Sequence, residues 1–188
     1  MNFLKQMWMH PKTTWAITAS WRNLSTLITD IANLEDKKCV VELWPGTGVF
    51  TKKIITKIPH GCSFFWLEIN SEFVDELNKN YPNVKIYNAW AQDIKKYLSK
   101  HQKTNCDCII SGIPWAALDT NTQKSLLNKL YEPLEVGWEF LTFAYIHWLA
   151  LPAGVQFKRL LNQKFKKVEK SRIVWRNLPP AFVYRCTK

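Results

Sequence analysis

The stretch that decides the fold is Cys39-Val40-Val41-Glu42-Leu43-Trp44-Pro45-Gly46-Thr47-Gly48. Cys39–Leu43 is a short apolar run bounded by turn residues, the pattern of a buried strand. It ends in a turn of the E-x-G-x-G-x-G type, with Trp44 at the position of the first glycine. Such a turn needs glycines because ligand and backbone approach closely there, where Cβ atoms would intrude. Thr47–Lys57 then reads as a helix. Strand, glycine turn and helix are the opening of a doubly wound α/β sheet.

Outward from this point the alternation continues. Ser63–Glu68 reads as a strand and Ser71–Asn80 as a helix, followed by strand Val84–Asn88 and helix Gln92–His101. Next come strand Cys106–Ser111, helix Thr122–Tyr131, strand Trp138–Tyr145 and helix Ala153–Phe165. Alternation of this kind means a parallel sheet with helices on both faces. Two late strands, near Lys167–Trp175 and Ala181–Cys186, have no helix between them and predict an antiparallel strand at the end of the sheet. Upstream, Phe3, Leu4, Met7 and Trp8 follow helical spacing until Pro11 stops them. A second helix is expected from near Ser20 through Leu24, Leu27, Ile28 and Ile31. The expectation is one domain over residues 1–188, a Rossmann-like, doubly wound, seven-stranded sheet with the last strand antiparallel. Residues 1–33 form an N-terminal helical segment, either a membrane anchor or a lid.

The composition narrows the function classes. A chain of 188 residues with 47% hydrophobic content supports one sizeable core and excludes global disorder. The longest apolar runs, Cys39–Leu43 and Cys62–Leu67, are far too short to span a bilayer, and Met1–Met9 has no following signal cleavage site. Five cysteines without CxxC pairs read as reduced thiols of a cytosolic protein. Cys106 and Cys108 face the same side of a strand and are expected to pack. His10, His60, His101 and His147 lack ligand spacing, so no metal is expected. Of the net charge of +11, residues 151–188 carry +9, from ten basic residues and one acidic. That concentration points to an anionic partner, either a membrane surface with its phospholipid headgroups or a nucleic acid.

Four strand ends converge on one candidate site. Glu42, Gly46 and Gly48 lie at the first turn. Glu68 ends the second strand, 26 residues after Glu42, where a carboxylate accepts the ribose hydroxyls of a nucleoside cofactor. Trp90-Ala91-Gln92-Asp93 follows the third strand, where adenine would lie, and Ser111-Gly112-Ile113-Pro114-Trp115 follows the fourth. A nicotinamide dehydrogenase shares the first two features. The fourth strand end and the late antiparallel pair favour a class I methyltransferase using S-adenosylmethionine. Gly112-Ile113-Pro114-Trp115 is similar to the Asn-Leu-Pro-Tyr type motif of adenine-N6 methyltransferases, in which a backbone carbonyl and an aromatic ring hold the acceptor amine.

Read as a whole, the chain resembles the bacterial phospholipid N-methyltransferase family of the short soluble type. The matching stretches are Phe3–Ile17, Val41–Lys53, Leu67–Val74, Ser111–Leu118, Phe140–Pro152 and Ser171–Arg185. The resemblance implies methyl transfer from S-adenosylmethionine to phosphatidylethanolamine and its mono- and dimethyl derivatives, giving phosphatidylcholine. It also implies cofactor contacts at Ser20, Glu42, Trp44, Gly46, Gly48, Glu68, Ile69, Trp90, Ala91 and Ser111. Tyr145 and His147, just past the fifth strand, are the candidates to take the amine proton. Tyr145, Arg176 and Tyr184 are the candidates to hold the lipid phosphate. Family members carry glycine where this chain has Trp44. Trp15, Trp66 and Trp138 also look like replacements of small residues.

Two alternatives follow from the same residues. An RNA or DNA adenine-N6 methyltransferase would explain the basic charge and the Pro-Trp motif, but the chain ends directly after the sheet and leaves no extra domain to grip nucleic acid. A catalytically impaired or engineered membrane-binding relative would explain Trp44. The expected partners are an anionic membrane surface and a phospholipid substrate, and the expected state is a monomer. The expected place is cytoplasmic, peripheral on the inner face of the membrane.

Overall fold

The computed structural model describes residues 14–188, with side chains from Trp21 onward. Helix α1 (Thr14–Ile31) leads into strand β1 (Cys39–Leu43), α2 (Val49–Ile55) and β2 (Ser63–Glu68). Then follow α3 (Ser71–Asn80), β3 (Lys85–Asn88), α4 (Ile94–Lys100), β4 (Cys106–Ser111) and α5 (Thr120–Tyr131). The chain closes with β5 (Leu134–Tyr145), α6 (Pro152–Lys164), β6 (Lys167–Lys170) and β7 (Ala181–Thr187). Phe3, Leu4, Met7 and Trp8 lie outside the described residues.

The seven strands form one sheet in the order β3-β2-β1-β4-β5-β7-β6. β1 to β5 run parallel, and β7 enters antiparallel between β5 and β6. The Rossmann-like architecture expected from the alternation is the one observed. Every residue of β1 and β4 is buried, as central strands covered on both faces must be. The edge strands β3 and β6 instead leave their end residues exposed.

Local chemistry sets the helix starts. Asn70 caps α3 by accepting from the Glu72 N–H at 2.8 Å. Asp119 caps α5 by accepting from the N–H groups of Asn121 and Thr122, each at 3.0 Å. Both satisfy donors that a helix start leaves orphaned. Pro152 opens α6 at a position where its missing N–H costs nothing. α1 packs inward through Leu24 and Ile28. Its Trp21 ring lies 4.8 Å edge-on from Phe143 of β5 and 5.6 Å from Phe50 of α2.

Several boundaries differ from expectation. α1 already includes Thr14, so Ser20 lies inside the helix rather than at its start. β5 begins at Leu134 with a register shift between Cys106 and Cys108 of its partner. Gly137 takes φ 88 there, in an exposed stretch without the alternation that marks a strand. β6 ends at Lys170, because Ser171–Pro180 leaves the ladder except for a bridge between Val174 and Ala181. Cys106 and Cys108 are both buried. Trp66 is fully buried, edge-on to Phe64 and Tyr81, and thus serves as core. Trp138 lies under the Lys37 ammonium, 4.1 Å from the ring centroid. No helix among the described residues is long and apolar enough to cross a membrane.

Candidate active site

The carboxyl ends of β1, β2, β4 and β5 bring Leu43, Glu68, Ser111 and Tyr145 to one edge of the sheet. The registers Leu43↔Leu67, Leu43↔Ser111 and Ser111↔Thr142 hold these ends side by side. After β1 the chain turns through three residues of positive φ: Trp44 (54), Gly46 (57) and Gly48 (79). Glycine takes this conformation without penalty, but a residue with a Cβ pays about 1–2 kcal/mol. Trp44 therefore holds a strained backbone. Gly112 allows the β1 and β4 ends to approach, since a Cβ there would collide with the Trp44 carbonyl oxygen.

Two buried carboxyls organise the turn. Glu68 accepts from the Gly46 N–H at 3.1 Å through Oε2 and from the Asn70 N–H at 2.9 Å through Oε1. Glu42 accepts from Thr51 Oγ1 at 2.7 Å through Oε2, while its Oε1 has no hydrogen-bond partner among the described residues. Burial pushes the Glu42 carboxyl up to about 8; the Thr51 hydroxyl opposes this and the neighbouring Glu68 adds to it. Burial raises Glu68 as well, against the pull of its backbone donors. Neither Thr51 nor Asn70 stood out in the sequence. Thr51 lies nine residues after Glu42 on α2, and only the packing of that helix under β1 turns its hydroxyl toward the acid.

Beside this turn opens a cleft of about 640 Å³ whose walls include Trp44, Ile69, Trp90, Ala91, Leu118 and Leu126. Its volume lies within the range of small-molecule sites. Apolar and aromatic side chains facing polar ones, among them Gln92, Asp119, Asn121 and Thr122, suit a planar base on a ribose. The unpartnered Glu42 Oε1 is a buried polar atom whose need a polar ligand would meet. Residues and cleft thus fit an adenosyl cofactor, with the Trp44 indole added to one wall.

The other candidates are distributed unevenly. Ser20 falls in α1, with its side chain outside the described residues. Ser111 Oγ is buried and turned inward, receiving the Trp115 indole N–H at 3.2 Å and the Ile113 N–H at 3.3 Å. Tyr145 is buried at the end of β5 and stacks on His147, with ring centroids 5.6 Å apart and 10° between planes. His147 is exposed at the rim. Burial raises the Tyr145 phenol, so it stays protonated and acts as a donor. Arg176 is exposed on the β6–β7 connection, in a groove of about 270 Å³ with Arg172, Trp175 and Asn23. Tyr184 is not brought to this rim. It is 1% exposed, packs edge-on to Phe157 and Phe182, and its hydroxyl has no partner among the described residues.

The model of the ribosomal RNA adenine dimethylase family matches residues 22–132, more than half of the chain and the whole glycine-turn half of the site. The chain belongs to that family. It is accordingly an S-adenosylmethionine-dependent methyltransferase of the class I fold. An ornithine lipid N-methyltransferase from Singulisphaera acidiphila is 25% identical over 181 residues, covering 94% of this chain and 85% of that protein. TrmN from Thermus thermophilus superposes with a TM-score of 0.68 at 11% identity. That match covers 89% of this methyltransferase, which spans only 48% of the TrmN chain. The N-methyltransferase NodS from Bradyrhizobium japonicum WM9 superposes with a TM-score of 0.67 at 10% identity, over 90% of this chain and 97% of that one.

Proposed function

We propose that this methyltransferase acts on the headgroup amine of a membrane lipid, phosphatidylethanolamine and its mono- and dimethyl derivatives first among them, giving phosphatidylcholine. The observation that carries this reading is where the two sequence matches end. The adenine dimethylase match stops at Glu132, before β5, and so covers the cofactor half of the site. The Gly112–Trp115 turn after β4 lies within it, but the segments from β5 to β7 that carry Tyr145, His147 and Arg176 lie beyond it. The match to the lipid N-methyltransferase covers 94% of the chain and so extends into that half.

The cofactor supplies a methyl group already activated on a sulfonium sulfur. The chain's own work is to bind, align and exclude water. Glu42, Gly46 and Gly48 would hold the side nearest the turn. Glu68 would hold the ribose and Ile69, Trp90 and Ala91 the adenine. An attacking amine must first give up a proton. Tyr145 is a protonated donor at the end of β5, and the exposed His147 ring stacked on it offers a nitrogen lone pair to a proton. His147 is therefore the proton acceptor, and Tyr145 orients it. Arg176 is the cation placed to meet a headgroup phosphate.

The family match favours a second reading, methylation of an RNA adenine amine. Both readings are N-methylation, and one assay separates them. The protein is incubated with methyl-labelled cofactor and either phosphatidylethanolamine in detergent micelles or ribosomal RNA transcripts. Label is expected in the lipid. Label in RNA alone would overturn the lipid reading.

A further inference from the structure

Exposed apolar side chains are gathered at one edge of this fold. Of seven large hydrophobic residues left exposed among the described residues, six lie on segments leaving the carboxyl edge of the sheet: Trp90, Leu151, Val155, Ile173, Trp175 and Leu178. Only Val136 lies at the opposite edge, where β5 begins. Apolar residues scattered singly on a surface are ordinary, but a concentration at one rim marks an interaction face. Trp175 and Leu178 are 69% and 65% exposed. Both sit on the connection between β6 and β7, which is tied to the end of β5 by the Ile146 N–H donating to the Pro180 carbonyl at 3.0 Å. Leu151 and Val155 leave β5 by way of the first turn of α6.

Part of the C-terminal basic charge is placed at the same edge. The basic C-terminal segment does not form one patch. At the amino edge Arg185 pairs with Glu139, Lys188 donates to the carbonyls of Tyr131 and Leu134, and Lys167 pairs with Glu169. At the carboxyl edge Arg172 and Arg176 are exposed, form no ion pair among the described residues, and flank Ile173 and Trp175. Indole and aliphatic side chains beside free guanidinium groups match the interfacial layer of an anionic bilayer, which takes the rings and chains at headgroup depth and the cations at the phosphates. Nucleic acid would use the arginines and the indole, but leaves exposed Leu151, Val155 and Leu178 without a partner.

We propose that the β5–β7 rim, carried by Leu151, Val155, Trp175 and Leu178 with Arg172 and Arg176, is the surface on which this methyltransferase docks onto an anionic lipid bilayer, setting the mouth of its cleft against the headgroups. This rests on the lipid reading above and deepens it. Docking by this face brings Arg176 and His147 to the bilayer together, so a lipid amine reaches the cleft without leaving the membrane.

The test is sedimentation of the full chain with vesicles of phosphatidylglycerol and phosphatidylcholine in equal parts. Trp175→Asp with Leu178→Asp is expected to lower the bound fraction by about tenfold or more, since each removes an apolar group that the interface would bury. Arg172→Glu with Arg176→Glu is expected to abolish the preference over pure phosphatidylcholine vesicles. Val136→Asp, at the opposite edge, is expected to bind as the parent does. Far-UV circular dichroism and cofactor affinity confirm that each variant is folded. Unchanged binding by both rim variants, or a parent that shifts RNA but does not sediment with vesicles, would overturn the proposal. Methylation of phosphatidylethanolamine in detergent without vesicle binding would sink the docking surface alone. Vesicle binding with no methylation of any amine lipid would sink the substrate reading alone.

Discussion

The Gly46 backbone N–H donates to Oε2 of Glu68 at 3.1 Å, tying the glycine turn after β1 to the acid that ends β2. The same carboxylate holds the Asn70 N–H through its other oxygen. One side chain thus fixes the turn and caps the approach to α3, and it is the acid proposed to take the ribose. A carboxylate has lone pairs for more than two donors, so it can keep both backbone bonds and still accept from a ligand.

Glu68→Ala tests these roles together. Loss of a charge-assisted acceptor is expected to weaken cofactor binding by about 1.5–3 kcal/mol. Calorimetry measures the affinity, and thermal unfolding without cofactor measures the cost of releasing the turn. Unchanged affinity in a folded variant would reject the ribose assignment.

Trp44→Gly should move stability and affinity in opposite directions. The variant relieves about 1–2 kcal/mol of left-handed backbone strain but gives up an indole that is only 7% exposed. Losing a buried aromatic ring costs about 3–5 kcal/mol, so the denaturation midpoint falls. Cofactor affinity rises, because a ring leaves the wall of the cleft. A variant that binds no more tightly than the parent would show that the indole takes no cofactor space.

Glu42 makes stability depend on pH. Its carboxyl titrates near 8 in the folded protein and near 4.3 when unfolded. Between these values the folded state holds the proton and the unfolded state does not, so stability falls as pH rises, by about 1.4 kcal/mol per unit. Glu42→Gln carries no such proton. Its stability advantage over the parent is expected to grow from pH 5 to 8 and then level off. Denaturant titrations at four pH values measure it, and parallel curves for the two proteins would place the carboxylate in a solvated site.

Tyr184→Phe is expected to stabilise the fold by about 1 kcal/mol, because it removes a buried hydroxyl that lacks a partner among the described residues. Methyl transfer to a lipid amine is expected to stay at the parent rate. A severalfold loss of transfer would mean that the phenol leaves the core to meet the substrate.

The sequence by itself determined the alternation from Cys39 to Tyr145, the two strand-end acids and the late antiparallel pair. These are written in local periodicity: an apolar run of strand length, a glycine turn, an amphipathic helix. Residues a few positions apart settle each of them. Tertiary structure alone decided what the side chains meet. Tyr184 and Arg176 looked alike as phosphate ligands, yet the pairing of β7 between β5 and β6 buries the first under α6 and leaves the second at the rim. Ser111 looked like a cofactor contact, but its hydroxyl is taken up by Trp115, four residues on, once the chain turns back after β4. The ten basic residues from Lys158 to Lys188 are gathered in one stretch of sequence and divided in space. Arg185 finds Glu139 across 46 positions because β7 lies antiparallel to β5, while Arg172 and Arg176 emerge at the other end of the sheet. Local pattern specifies which elements form. Pairing between distant strands specifies which charges are spent inside the fold and which remain for a partner.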